Sequence, residues 1–294
     1  MIKTGVFKIR DPFVVVCEGE YYMYGTDVSF GGWDNTAWGC SKSVDGRLDG
    51  KWEKTKNLVY IRPDNAEKQF WAPEVHKYKN NYYMFASYYS SLTNHRGCSI
   101  LKSESPEGPF VEITDGHITP KDWDAIDGTF WVDDAGQPWM VFVHEWTCTD
   151  DGIGRMAAAK LSEDLTRFIS EPKELFRADD APWANVQVTD GCFLYKTKDG
   201  RLQMLWSNSF NDEYRVGIAE SENGRVDGRW IQYEKPLFSK EIGERDGGHG
   251  MIFKAVDGRK YLSIHSPNNL SGGLSEEAVF LPLNEKNGVL SCEK

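Results

Sequence analysis

Apolar and polar positions along this chain fall into short alternating runs broken by turns. One unit of that pattern repeats: an acidic residue beside a small residue or proline, an apolar strand, a turn, and a second aromatic-rich strand. The first copy opens at Asp11-Pro12, runs through Phe13 to Cys17, turns at Glu18-Gly19 and returns through Tyr21 to Tyr24. The second runs from Pro73-Glu74 to Tyr78, turns at Asn80-Asn81 and returns through Tyr82 to Ala86. The third opens at Asp127-Gly128 and returns through Trp139 to Val143, and the fourth opens at Asp190-Gly191 and returns through Leu202 to Trp206. The fifth opens at Asp246-Gly247-Gly248-His249 and returns through Tyr261 to His265. Asp-Gly and Asn-rich turns between β-branched and aromatic runs predict antiparallel hairpins, and no stretch competes as a helix.

The openers Asp11, Glu74, Asp127, Asp190 and Asp246 recur 53 to 63 residues apart, the size of a four-stranded blade. A second echo, at Ser41 to Trp52, Ser103 to Phe110 and Ser221 to Trp230, supplies the third and fourth strands, with a glycine turn and a large aromatic closing the outer edge. The expected fold is all-β: a five-bladed β-propeller with four-stranded antiparallel blades, forming a single domain over residues 1–294. Circular closure protects most strand edges. A two-sheet sandwich also uses short strands but does not predict five acidic anchors at blade spacing.

Composition narrows the partners. The chain has 294 residues, 40% hydrophobic and 13% aromatic, enough for a packed core. Its 34 basic and 45 acidic residues leave a net charge of -11, which opposes nucleic-acid backbones and anionic membranes and suits a neutral ligand. Six cysteines without a C-x-x-C pair read as free thiols rather than a zinc or dithiol site. No run approaches the roughly 18 apolar residues of a membrane helix, and the first residues lack a leader-like apolar core, so a cytoplasmic monomer is the expectation.

In a propeller the innermost strands line the central channel, so their openers converge at one end of it. Clustered carboxylates are electrostatically costly unless protonation, a cation or hydrogen bonds relieve them. Glycoside hydrolysis uses such a set: one carboxylic acid protonates the leaving oxygen and one carboxylate activates water or attacks the sugar. The ends of the second strands reach the same face, bringing Glu145, Trp146 and His265 toward the pocket, and with them Trp206, for which core packing is the equal alternative. With Trp71 and Glu74 these suit a sugar, whose apolar face stacks on rings while its hydroxyls take directed hydrogen bonds. His249, in a Gly-Gly-His-Gly run, is the candidate ligand for a cation in the channel.

These residues resemble glycoside hydrolase family 43, the five-bladed propeller arabinofuranosidases and xylosidases. Arg10-Asp11-Pro12, Trp71-Ala72-Pro73-Glu74 and Ile126-Asp127-Gly128 are similar to its first three blade motifs in order, and the likeness covers nearly the whole chain. The resemblance implies Asp11 as general base, Asp127 as the residue that orients and tunes the acid, and a calcium or other cation near His249 that the chemistry itself does not require. The family's acid is a Glu opening the fourth blade, where this chain has Thr189-Asp190-Gly191-Cys192. Either Asp190 or Glu145 therefore serves as acid. The implied activity is inverting, exo-acting cleavage of α-L-arabinofuranosyl or β-D-xylosyl linkages in plant-type oligosaccharides. Two rivals stand beside it: a catalytically silent carbohydrate-binding propeller, and a phosphorylase- or fructosidase-like enzyme. A phosphorylase calls for a basic cluster, whereas Arg10, Arg62 and Arg155 are dispersed in sequence.

Overall fold

The computed structural model describes residues 1–29, 31–55, 59–268 and 276–293. The strands form five antiparallel sheets arranged as blades around a channel. Blade one is Ile9–Cys17, Glu20–Asp27, Trp38–Ser43 and Trp52–Lys54. Blade two is Ala66–Tyr78, Asn81–Ser90, Arg96–Ser103 and Val111–Glu112. Blade three is Ala125–Val132, Pro138–His144, Arg155–Lys160 and Lys173–Arg177, and blade four is Asp190–Lys196, Leu202–Phe210, Glu213–Ser221 and Trp230–Gln232. Blade five is Gly248–Lys254, Lys260–Ser266 and Glu277–Lys286, and its outer strand comes from the start of the chain: Ile2–Phe7 pairs with Glu277–Lys286. The repeat predicts the five inner hairpins; this closure of last blade by first residues carries no mark in it. Val289–Cys292 adds a further strand to the same outer edge.

Each blade is apolar on both faces, so the core is a ring of seams between neighbours. Tyr24, Trp38, Phe70 and Tyr88 fill the seam between blades one and two, and Phe85, Phe130, Met140 and Phe142 the next. Trp183, Met204 and Trp206 lie between blades three and four, Leu205, Ile218 and Leu262 between four and five, and Met23, Phe253 and Phe280 between five and one. Such burial contributes about 1.5–3 kcal/mol for each large apolar side chain. All six cysteines are free.

What positions the site is a bulge at the same place in every blade. In each inner strand two residues oppose one on the second strand: 11 and 12, 72 and 73, 127 and 128, 191 and 192, 249 and 250. The first of each pair is left-handed, with φ of 56° at Asp11, 41° at Ala72, 55° at Asp127, 58° at Gly191 and 53° at His249. Bulges of this kind turn a side chain out of the pleat and toward a site. The equivalent positions are thus Asp11, Ala72, Asp127, Gly191 and His249, not the five acidic openers.

The bulge amides also link the blades. Each donates to a neighbouring side chain: Ala72 to Thr26 Oγ1 (2.8 Å), Asp127 to Ser87 Oγ (3.0 Å), His249 to Ser207 Oγ (2.8 Å) and Asp11 to His265 Nδ1 (3.2 Å). At blade three the corresponding second-strand residue is Val143, which cannot accept, and Asp127 Oδ2 takes the Gly191 amide instead at 2.9 Å.

Candidate active site

At one end of the channel a cavity of about 500 Å³ is lined by Asp11, Asp127, Asp190 and Glu145, with Arg10, Arg96 and His249 among them and Trp33, Trp71 and Trp146 in its walls. The bulges of blades one, three and five direct Asp11, Asp127 and His249 inward. Asp190, the residue just before the blade-four bulge, joins them.

Asp11 is fixed at both oxygens. Thr26 donates to Oδ2 at 2.6 Å, and His249 Nδ1 lies 3.1 Å from Oδ1. Burial works against its charge, but His249, His265 and Arg10 outweigh it and hold the carboxyl well below the usual carboxylate range. His249 is likewise buried; Asp11 and Asp127 nonetheless push its imidazolium up to about 10. Its Nδ1 is 3.8 Å from Asp127 Oδ2. Burial, opposed by His249 but reinforced by Asp190 and Asp11, pushes Asp127 up to about 8. Asp190 is raised too, chiefly by burial, although His249 and a hydrogen bond from Tyr214 (3.0 Å) pull the other way. One carboxylate is therefore held toward the anion while two neighbours are shifted toward the neutral form.

Glu145 faces the pocket from the end of the second strand of blade three, against the Arg96 guanidinium. Burial raises its carboxyl to about 7 despite that cation, helped by Asp124 and Asp190. Asp124 in turn accepts from the Arg96 amide (3.0 Å) and from Thr147 (2.8 Å), fixing the pair.

Three expected contacts lie elsewhere. Trp206 is fully buried in the seam between blades three and four, against Phe176 and Trp183, with its indole N–H on Gln232. Side chains alternate along a strand, so Ser207 turns the opposite way, to the inner strand of blade five, where it accepts the His249 amide. Glu74 lies two residues past the blade-two bulge, buried and bonded to His76 at 2.8 Å; Trp71 is the pocket residue there. His265 is fully buried beneath Asp11: its Nδ1 accepts the Asp11 amide and Nε2 faces Asn268 Oδ1 at 3.4 Å. Burial, Arg10 and His249 lower it to about 3, so it is neutral with its proton on Nε2. Asp246, the fifth opener, is outside the pocket and accepts the Tyr214 amide. Trp71 and Trp146 do line the cavity, the former donating to the Trp33 carbonyl at 2.9 Å.

Trp33, Arg96, Tyr214 and Asn268 are pocket residues that the repeat does not mark. Arg10 stacks over Trp33 at 4.5 Å and is held by Glu276 and Asn268. Arg62 and Arg155 are used away from the pocket, on the Ala66 carbonyl and on Asp150, Asp151 and Glu174. As a metal ligand His249 stands alone: its Nδ1 is turned to Asp11 at 3.1 Å, and among the described residues no group of three or more His, Cys, Asp or Glu is disposed to hold an ion.

Residues 5–287, nearly the whole ring of blades, match glycosyl hydrolases family 43. The chain belongs to that family. It is 34% identical to the endo-arabinase from Bacteroides thetaiotaomicron VPI-5482 over 98% of both chains, with a TM-score of 0.84. It is 27% identical over 178 residues to the extracellular exo-α-(1→5)-L-arabinofuranosidase ArbA of Cellvibrio japonicus (strain Ueda107), a match covering 56% of this chain and 47% of that protein. The xylan β-1,4-xylosidase from Bacillus halodurans C-125 shares the fold, at 18% identity and a TM-score of 0.73, over 99% of this chain and 56% of that one. Within family 43 the pocket of this member carries an Asp where the fourth blade opens, and a second buried carboxyl, Glu145, across from it.

Proposed function

We propose that this family 43 member hydrolyses a glycosidic bond by single displacement with inversion, with Asp11 as general base, Asp190 as general acid and Asp127 tuning the acid. The observation that carries the reading is the division of protons in one pocket. Asp11 is held anionic by His249 and Thr26, while Asp127 and Asp190, packed beside it, are pushed toward the neutral form. Two carboxyls of unlike protonation are the equipment for acid and base on one sugar.

In this mechanism a water oxygen bonds to the anomeric carbon as the glycosidic C–O bond breaks, its electron pair leaving with the departing oxygen. Asp190 gives that oxygen its proton, and Asp11 takes one from the water. The water becomes acidic only as it bonds to carbon, so a base of low proton affinity suffices provided it stays anionic. Exchange with solvent then restores both groups. Asp127 shares the field of His249 with Asp190 and the two titrate together, Asp190 raising the hold of Asp127 on a proton.

The substrate favoured first is an α-L-arabinofuranoside, since ArbA is named an exo-α-(1→5)-L-arabinofuranosidase and the Bacteroides thetaiotaomicron enzyme an endo-arabinase; cleavage from a chain end follows the first of these names alone. A β-D-xyloside is second. Glu145 is the second reading for the acid, favoured by its place in the cavity and its carboxyl near 7. Hydrolysis of aryl α-L-arabinofuranosides and β-D-xylosides by wild type, Asp11→Asn, Asp190→Asn and Glu145→Gln tests the assignment. Asp11→Asn is expected to lose activity on every substrate. Asp190→Asn is expected to lose about a hundredfold or more on a poor leaving group and little on a dinitrophenyl one, because only the former needs a proton. Turnover on neither sugar while ligand binding survives in Asp11→Asn would point to a silent carbohydrate-binding propeller.

A further inference from the structure

Asp190 has the shortest side chain that can carry a carboxyl, and something must fix where its proton points. Tyr214, from the third strand of blade four, is buried and places its hydroxyl 3.0 Å from Asp190 Oδ2. A phenol above a carboxyl donates, so with Oδ2 accepting from Tyr214 the proton of the acid resides on Oδ1. The ring is held on several sides. It stacks on His265 with centroids 5.6 Å apart and planes 25° apart, the same imidazole that accepts the amide of the base. Its own amide donates to Asp246 Oδ2 at 3.3 Å, and its carbonyl accepts from Gly247 at 3.3 Å.

The Gly-Gly-His-Gly run makes this arrangement possible. A Cβ on Gly248 would sit 2.3 Å from Tyr214 Cε1, and one on Gly247 would sit 2.4 Å from the His265 carbonyl oxygen. Gly248 is therefore the space into which the tyrosine ring fits, and the same strand then delivers His249 to Asp11.

We infer that Tyr214 is a positioning residue for the acid: it orients Asp190, leaves Oδ1 to deliver the proton, and through His265 keeps acid and base in one rigid frame. This rests on the reading of Asp190 as the acid. The groups facing Asp190 are Tyr214 on its own blade, His249 from blade five, Asp11 and Arg10 from blade one, and Asp127 and Glu145 from blade three. A donor to the carboxylate stabilises the ionised form, so loss of the hydroxyl lets Asp190 keep its proton to higher pH.

The test is the pH profile of kcat/KM for Tyr214→Phe on an aryl glycoside with a poor leaving group, beside wild type, Asp190→Asn and Glu145→Gln. The alkaline limb is expected to move up by about one pH unit, the worth of one hydrogen bond to a charged group, while the acidic limb stays in place. A fluorotyrosine replacing Tyr214, a stronger donor of the same shape, is expected to move it down, which separates a tuned proton from a loss of packing. An alkaline limb unmoved by both replacements, or two limbs falling together, would overturn the inference. If instead Glu145→Gln abolishes the alkaline limb and Asp190→Asn keeps it, the assignment of the acid fails, and this inference fails with it.

Discussion

One histidine sits between the aspartates of this site. Asp11, Asp127 and Asp190 meet with little solvent, and His249 faces two of them at 3.1 and 3.8 Å. Its proton affinity in the fold, about 10, exceeds the ordinary value of 6.5, so the stability it contributes is fully present below about pH 6.5 and is lost as pH rises through 10. Thermal unfolding is therefore expected to fall steadily between those limits in wild type and to be flatter in His249→Asn. Equal slopes for both would place the charge elsewhere. Residues whose chemistry is local were readable from sequence: Asp11, Asp127 and Asp190 stand beside Pro or Gly at blade spacing and all reach the cavity. Trp206 was not, because one step along a strand reverses the face, and the aromatic that looks like a sugar platform is core while the serine beside it turns to the inner strand of blade five.

Elements set which residue is presented. Each inner strand breaks its ladder at the same place, with a left-handed residue at the break, and these residues share that place: Asp11, Ala72, Asp127, Gly191 and His249. Their equivalence is invisible to a search for carboxylates, since only two are acidic, and it explains why Glu74 and Asp246 mark their blades yet miss the pocket. Gly191 is the position where the backbone demand is sharpest. With φ of 58°, an added Cβ would meet His249 ring atoms at 2.8 and 2.9 Å. Gly191→Ala is expected to destabilise the fold by about 1–2 kcal/mol from the left-handed backbone alone, more with the clash, and to displace His249. A midpoint in urea equal to wild type would contradict that account of the bulge.

At the scale of the molecule, hairpins repeated at blade spacing made the propeller legible, because turn chemistry and aromatic strands are local signals. Closure was not legible: Ile2–Phe7 resembles any short strand, and its partner Glu277–Lys286 lies at the other end of the chain. Trp33, Arg96 and Tyr214 were likewise missed, since only the closed ring brings a loop of blade one and the third strands of blades two and four to one cavity. The ring thus makes a site that no blade holds alone: Asp11, the proposed base, from blade one, Asp190, the proposed acid, from blade four, and His249 between them from blade five. In the proposed mechanism water attacks directly, opposite the departing oxygen, with Asp11 taking the proton. Proton NMR of the first sugar released from an α-L-arabinofuranoside, followed before mutarotation, tests this most directly. The account predicts that the β anomer forms first. Initial release of the α anomer would mean retention through a covalent intermediate and would contradict it.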